Sequence, residues 1–147
     1  MKIVITSGGF DPIHKGHIEY LQKAKQLGDF LVCIVNNDNF LIEKKGKPFM
    51  DVFGRVAIVK ELKSVDLAFV SIDNDNTVNE SIKIIKSTMD YLYPNCEIIF
   101  AKGGDRFEGE IPESKTCKEL NIKIIDGLGE KIESSSNLIK QITSQKN

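Results

Sequence analysis

The sequence predicts an α/β domain with a five-stranded parallel sheet, and three observations carry that prediction. Short apolar, β-branched runs alternate with segments of helical periodicity along the chain. Several of these runs are continuously apolar, the pattern of strands covered on both faces. No internal repeat, low-complexity tract or linker interrupts the alternation, so residues 1–147 read as a single domain.

Each element follows from its residues. Lys2-Ile3-Val4-Ile5-Thr6 is a short strand that runs into glycines. After His17, the residues Tyr20, Leu21, Ala24 and Leu27 mark one face of a helix, and Gly28 is placed to end it in a left-handed cap. Phe30 to Val35 is a continuous apolar strand, followed by a polar loop, Asn36-Asn37-Asp38-Asn39. This strand, helix, strand unit implies a right-handed crossover. Glu43 to Pro48 is a basic segment that reads as a mobile surface loop, and Asp51 caps a helix over Val52 to Lys63. Leu67 to Ile72 is a third strand. The polar cluster Asp73 to Asn76 precedes the clearest helix, on which Val78, Ile82, Ile85, Met89 and Leu92 keep a 3–4 spacing until Pro94 ends it. Glu97 to Ala101 is a fourth strand that leads into the turn Lys102-Gly103-Gly104-Asp105-Arg106. Residues 107–119 read as irregular or partly helical, and Ile122 to Ile125 is a fifth strand. Ser134-Ser135-Ser136-Asn137 opens a last helix.

Composition narrows the function. Twenty basic against 21 acidic residues give a net charge of −1, which leaves no one-signed field for general nucleic-acid binding. The apolar runs are too short to cross a bilayer, and the N-terminus enters a strand without signal-peptide architecture. Cys33, Cys96 and Cys117 form no CxxC pair, which points to reduced thiols in a cytoplasmic protein and away from zinc.

The most demanding stretch is Gly8-Gly9-Phe10-Asp11-Pro12-Ile13-His14-Lys15-Gly16-His17. Gly8 and Gly9 allow backbone amides to approach a ligand, and the helix beginning near Gly16 offers free N–H groups and a positive dipole end. His14 and His17 lie at that same end, where imidazole N–H donors suit charge developing on phosphoryl oxygens. The glycines fit neither the P-loop nor the dinucleotide spacing, and no acidic or cysteine ligands accompany the histidines in helical register. In a parallel sheet, ligands bind beyond the carboxyl ends of the strands. The glycine loop, the Asn36–Asn39 loop and the Lys102–Arg106 turn all fall at that edge.

These residues resemble the signature of the HxGH nucleotidyltransferases, in the cytidylyltransferase-like superfamily, whose fold is a Rossmann-like three-layer sandwich. The resemblance extends through Ala24 to Asp29, the loop around Asp38, Arg55 with Val65-Asp66, Lys102 to Asp105 and Ser134 to Asn137. Within the superfamily it is most similar to the adenylyltransferase domain of ADP-heptose synthase and to glycerol-3-phosphate cytidylyltransferase. It implies transfer of AMP or CMP from ATP or CTP to a phosphorylated sugar or polyol, such as D-glycero-D-manno-heptose 1-phosphate, with release of pyrophosphate, a Mg²⁺ cofactor and a homodimer. By the same resemblance, His14, His17 and Lys44 or Lys45 are catalytic. Gly8, Gly9, Phe10, Asp11, Gly16, Lys102, Gly104, Asp105, Ser134, Ser135 and Ser136 serve the nucleotide, with Asp11 and Asp105 ordering the magnesium shell or the loop. Asp38 and Arg55 serve the substrates, and no residue is assigned as a direct metal ligand.

Plainer readings compete. The lysine run is also the composition of a solvated loop, the serines of a simple helix cap, and Arg55 of a partner for Asp51 or Asp66. Two departures stand out: Gly9 replaces a side chain that many relatives carry, and Glu130 to Glu133 lacks the arginine of the cytidylyltransferases. The alternative of another class is a nucleotide-binding module without chemistry.

Overall fold

In the computed structural model, which describes residues 1–103 and 111–128, five strands alternate with helices. The strands are β1 (Lys2–Gly8), β2 (Phe30–Val35), β3 (Leu67–Val70), β4 (Glu97–Gly103) and β5 (Lys123–Leu128). The helices are α1 (Lys15–Lys25), α2 (Asp38–Lys45), α3 (Val52–Lys60), α4 (Asn79–Leu92) and α5 (Ser114–Glu119). All four strand pairings are parallel, in the order β3-β2-β1-β4-β5. The order reverses between β1 and β4, which places a ligand crevice at their carboxyl ends.

The two-residue period of the strands sorts the core into layers. Ile3, Ile5, Val32, Ile34 and Phe100 pack with Ile82, Ile85 and Met89 of α4. Val4, Leu31, Cys33 and Val35 face the other way, onto Tyr20 and Leu21 of α1 and Val59 of α3. Both faces of β1 and β2 are therefore covered, as their uninterrupted apolar sequence requires. Among the described residues, no helix is long and apolar enough to cross a membrane.

Several boundaries differ from the sequence expectation. The polar stretch after β2 is loop only through Asn37, which caps α2 through a bond from the Phe40 N–H (2.9 Å); Asp38, Asn39, Lys44 and Lys45 belong to that helix. Gly46, at φ 87°, ends it. Helix α3 stops at Lys60, β3 at Val70, while β4 extends through Lys102 and Gly103 and β5 through Leu128. Leu92 is exposed on α4 rather than buried with Ile82, Ile85 and Met89. Gly28 is not a left-handed cap. Its backbone lies so close to β1 that a Cβ would stand 2.8 Å from the Lys2 carbonyl. The helix expected from Ser134 lies outside the described residues.

Two of the three thiols lie within the apolar layers. Cys33 and Cys117 are buried, and burial pushes their thiols up, to about 12 and about 11 respectively.

Candidate active site

The turn from β1 into α1 brings both histidines to one helix end. His14 is the N-cap, and its Nδ1 accepts from the Gly16 N–H at 3.1 Å. The Nδ1 of His17 accepts from the His14 N–H, also at 3.1 Å. Each histidine thus serves the backbone in the way a capping box does. Both histidines cap the helix, and the capping defines their chemistry. With Nδ1 accepting, the proton of each neutral ring resides on Nε2, which becomes a donor.

The rings stack at a centroid distance of 3.8 Å, and Phe10 meets His17 edge-on at 5.0 Å. Burial, with a smaller contribution from His14, pushes the His17 pKa down to about 3. His17 is therefore neutral at physiological pH. It is a fixed N–H donor, not a proton reservoir.

Gly8 shapes the loop by making room for a side chain. The space where its Cβ would stand is filled by the Phe10 ring, with Cζ only 2.9 Å away. Phe10 is buried and adopts φ 52°, so the loop folds its own aromatic ring back over β1. Gly8 thus admits a side chain. At Gly9 a Cβ would approach the Leu41 side chain at 3.1 Å. Gly103 plays a matching part, because its missing Cβ admits the ring of Tyr20, whose hydroxyl donates to the Ala101 carbonyl.

Asp11 organises the neighbouring strap. Its carboxylate accepts from the N–H groups of Phe49 and Met50, at 2.6 Å each, and pairs with the Lys45 ammonium at 2.8 Å. Lys45 also donates to the Asp11 carbonyl. Of the two functions foreseen for Asp11, ordering the loop is the one these contacts serve. The segment 46–50 is thereby fixed against the glycine loop.

Arg55 is the principal correction. It pairs with neither Asp51 nor Asp66, and its side chain is fully buried. Its guanidinium donates to the carbonyls of Met50 (2.9 Å), Gly9 (2.9 Å) and Asn36 (2.6 Å), and to the Asp38 carboxylate (2.6 Å). One side chain of α3 therefore ties together the glycine loop, the end of β2, the strap and α2. In this structure it acts as a positioning residue, holding these segments together. Asp38 remains partly exposed at the same edge.

Sequence reasoning missed a further group. Asp73, buried, accepts from the N–H groups of Glu80 (2.6 Å) and Ser81 (3.1 Å), and so caps α4 from six residues upstream of its first residue. Asn37 reaches the Asp73 carbonyl at 2.9 Å and joins the β2 end to this helix. The polar cluster Asp73–Asn76 was the available signal. Its partners lie too far along the chain for a capping pattern to reveal them.

Lys102 lies at the end of β4 with its ammonium 5.3 Å from the Phe100 ring centroid. The side chain of Lys44 and all of Gly104, Asp105, Ser134, Ser135 and Ser136 lie outside what the structure describes. Among the described residues, no group of three or more His, Cys, Asp or Glu side chains is arranged to hold a metal ion. Asp11 is committed to two amides and a lysine, so the described residues do not form a protein-made magnesium cage.

The cytidylyltransferase-like family profile matches residues 5–142. Two relatives named bifunctional protein HldE are similar over most of the chain. The one from Nitratiruptor is 38% identical over 123 residues, covering 82% of this chain and 24% of that protein. The one from Aliarcobacter butzleri is 35% identical over 144 residues, covering 96% of this chain and 27% of that protein. The chain thus spans about a quarter of the length of these curated relatives. A crystal structure of the lipopolysaccharide core biosynthesis protein from Thermoplasma volcanium superimposes with a TM-score of 0.63 at 28% identity, over 88% of this chain and 98% of that one. The bifunctional NMN adenylyltransferase/ADP ribose pyrophosphatase from Francisella tularensis shares the fold, with a TM-score of 0.64 at 12% identity, over 97% of this chain and 42% of that one.

Proposed function

This chain belongs to the cytidylyltransferase-like family, and on that premise we propose that it is a nucleotidyltransferase acting on a phosphorylated sugar, of the ADP-heptose-forming kind. The reaction moves AMP or CMP from ATP or CTP to the acceptor phosphate. An acceptor phosphate oxygen attacks the α-phosphorus, the bond from that phosphorus to the bridging oxygen breaks, and pyrophosphate departs with the electron pair. The similarity to HldE proteins supports the adenylyl, sugar-phosphate version over a glycerol-phosphate one.

The observation that carries this reading is the reciprocal capping of His14 and His17. It commits the Nδ1 of each ring to the backbone at the positive end of α1, where the Nε2–H of the neutral His17 would stabilise charge on an α-phosphoryl oxygen as it develops. Positioning and electrostatics supply most of the rate in such displacements. Lys45, now paired with Asp11, and Lys44 in the same helix are the cations proposed to meet the acceptor phosphate and α-phosphate. Gly16 and Lys102 complete the nucleotide edge, with Gly104, Asp105 and the Ser134–Ser136 turn assigned to the triphosphate. Mg²⁺ enters as the ion carried by the triphosphate, which commonly keeps most of its ligands as phosphate oxygens and water. Residues 1–147 are proposed to act as a single cytoplasmic domain that pairs as a homodimer.

The test is pyrophosphate release on mixing the protein, Mg²⁺, ATP or CTP and a panel of sugar and polyol phosphates. Turnover with ATP and a sugar 1-phosphate supports the reading. Nucleotide binding without turnover across the panel would favour a non-catalytic module instead.

A further inference from the structure

Among the described residues, three side-chain oxygens near the ligand edge are buried without a hydrogen-bond partner: Asn36 Oδ1, Asn79 Oδ1 and Glu113 Oε1. Glu113 is 4% exposed and Asn36 7% exposed. Buried acceptors are nearly always paired, and a carboxylate oxygen is among the most costly to leave unpaired. None of the three belongs to the histidine loop.

Their positions are linked. The other carboxylate oxygen of Glu113 accepts from the Val78 N–H at 3.1 Å, directly beside Asn79 at the start of α4. The neighbour of Asn36, Asn37, donates to the Ser71 and Asp73 carbonyls, and Asp73 caps the same helix. Asn36 also continues the register of Val32 and Ile34, the face of β2 that packs on α4. The residues that carry the three oxygens are thus neighbours in one stretch of the structure: Asn36 is joined through Asn37 to the segment that caps α4, Asn79 begins that helix, and Glu113 binds the amide just before it. Glu113 also lies close enough to Cys117 for its charge to help hold that thiol up, and Lys102 acts on the same thiol in the opposite sense.

We propose that Asn36, Asn79 and Glu113 form a hydroxyl-reading subsite for the sugar portion of the acceptor, a deepening that rests on the nucleotidyl-transfer reading. The chemistry fits one end of such a ligand only. A carboxylate and two amide oxygens accept from hydroxyls, whereas the carboxylate repels a phosphate. The phosphate then points to the histidine and lysine side of the edge and the ring hydroxyls to the α4 side. Side-chain rotation presents the oxygens to the crevice, and the acceptor's hydroxyls supply the donors.

The experiment is calorimetric titration of the protein, without nucleotide, with mannose 1-phosphate, glycerol 3-phosphate and inorganic phosphate. It compares wild type with Glu113→Gln and Asn79→Ala. The isosteric Glu113→Gln keeps the shape of the buried side chain, and Asn79→Ala changes only the first residue of a helix, so one tests the other should either fold poorly. Mannose 1-phosphate is expected to bind wild type about tenfold or more tighter than inorganic phosphate, the weight of hydrogen bonds to a charged acceptor. Both variants lose that margin while keeping the inorganic phosphate affinity. Equal binding of mannose 1-phosphate and inorganic phosphate by wild type would overturn the proposal, as would an unchanged margin in the variants. A parallel ATP titration in which the variants lose affinity for nucleotide instead would also overturn it. Because the readout is binding, a subsite that holds in a protein that releases no pyrophosphate would separate the failure of the catalytic reading from that of this one.

Discussion

The Arg55 guanidinium donates to the Gly9 carbonyl at 2.9 Å, so a buried side chain of α3 fixes the loop that carries both histidines. The same group holds the ends of β2 and of the strap. The edge proposed to be active therefore depends on a residue that is itself shut away from solvent.

Replacing Arg55 with Met should remove the donors to three carbonyls and leave Asp38 without its ion-pair partner. Hydrogen bonds donated by a charged group are worth about 1.5–3 kcal/mol each, and the partly exposed Asp38 adds little to that loss. Urea unfolding should register that loss, and the surviving folded protein should show a lower kcat. Arg55→Lys keeps the charge but not the planar fork, and should recover only part of both. Wild-type stability in Arg55→Met would contradict the positioning role.

Gly8→Ala places a methyl group 2.9 Å from the Phe10 ring. Overpacking of this sort costs about 1–3 kcal/mol. Because Phe10 leans on His17, turnover should fall further than the stability loss alone explains. Thermal unfolding measured beside kcat for Gly8→Ala checks this, and a silent substitution would mean the ring is not held as described.

Asp11→Asn retains one acceptor oxygen but loses the charge that pairs with Lys45. Amide exchange at Phe49 and Met50 should accelerate, since both N–H groups end on that carboxylate. Protection unchanged at both amides would show the strap to be held by other means.

The depressed pKa of His17 carries a pH signature. Its folded value of about 3 lies below the ordinary 6.5, so between them the unfolded chain binds the extra proton and the folded chain does not. The stabilisation is complete above about 6.5 and is lost as pH falls from there towards 3. The ¹⁵N shifts of His17 should report a neutral, Nε2-protonated ring at pH 5.5, and thermal stability should fall on acidification through that window. A ring that titrates near 6.5 would refute the buried-donor description.

The sheet was legible because strands covered on both faces leave continuous apolar runs, as Phe30 to Val35 does. The histidine pair was legible from spacing alone. Helix α2 was not, because its apolar residues Phe40, Leu41 and Ile42 are consecutive and show no period; Leu41 is buried while Ile42 is exposed. The partners of Arg55 were not legible, and Asp51 and Asp66 are not among them, because they are mostly backbone carbonyls brought in by tertiary structure, and carbonyls leave no mark in a sequence. Gly8 and Gly28 carried the right signal of close approach or special geometry. What approaches them, a ring in one case and a neighbouring strand in the other, only the fold determines.

The most direct test of nucleotidyl transfer centred on the histidine pair is the rate of pyrophosphate release by wild type and His17→Ala, with ATP, Mg²⁺ and a sugar 1-phosphate. Wild type should turn over, and the variant, folded as judged by circular dichroism, should lose about 10²–10³-fold in kcat, the effect of removing one such donor. Equal rates for the two proteins would contradict the assignment.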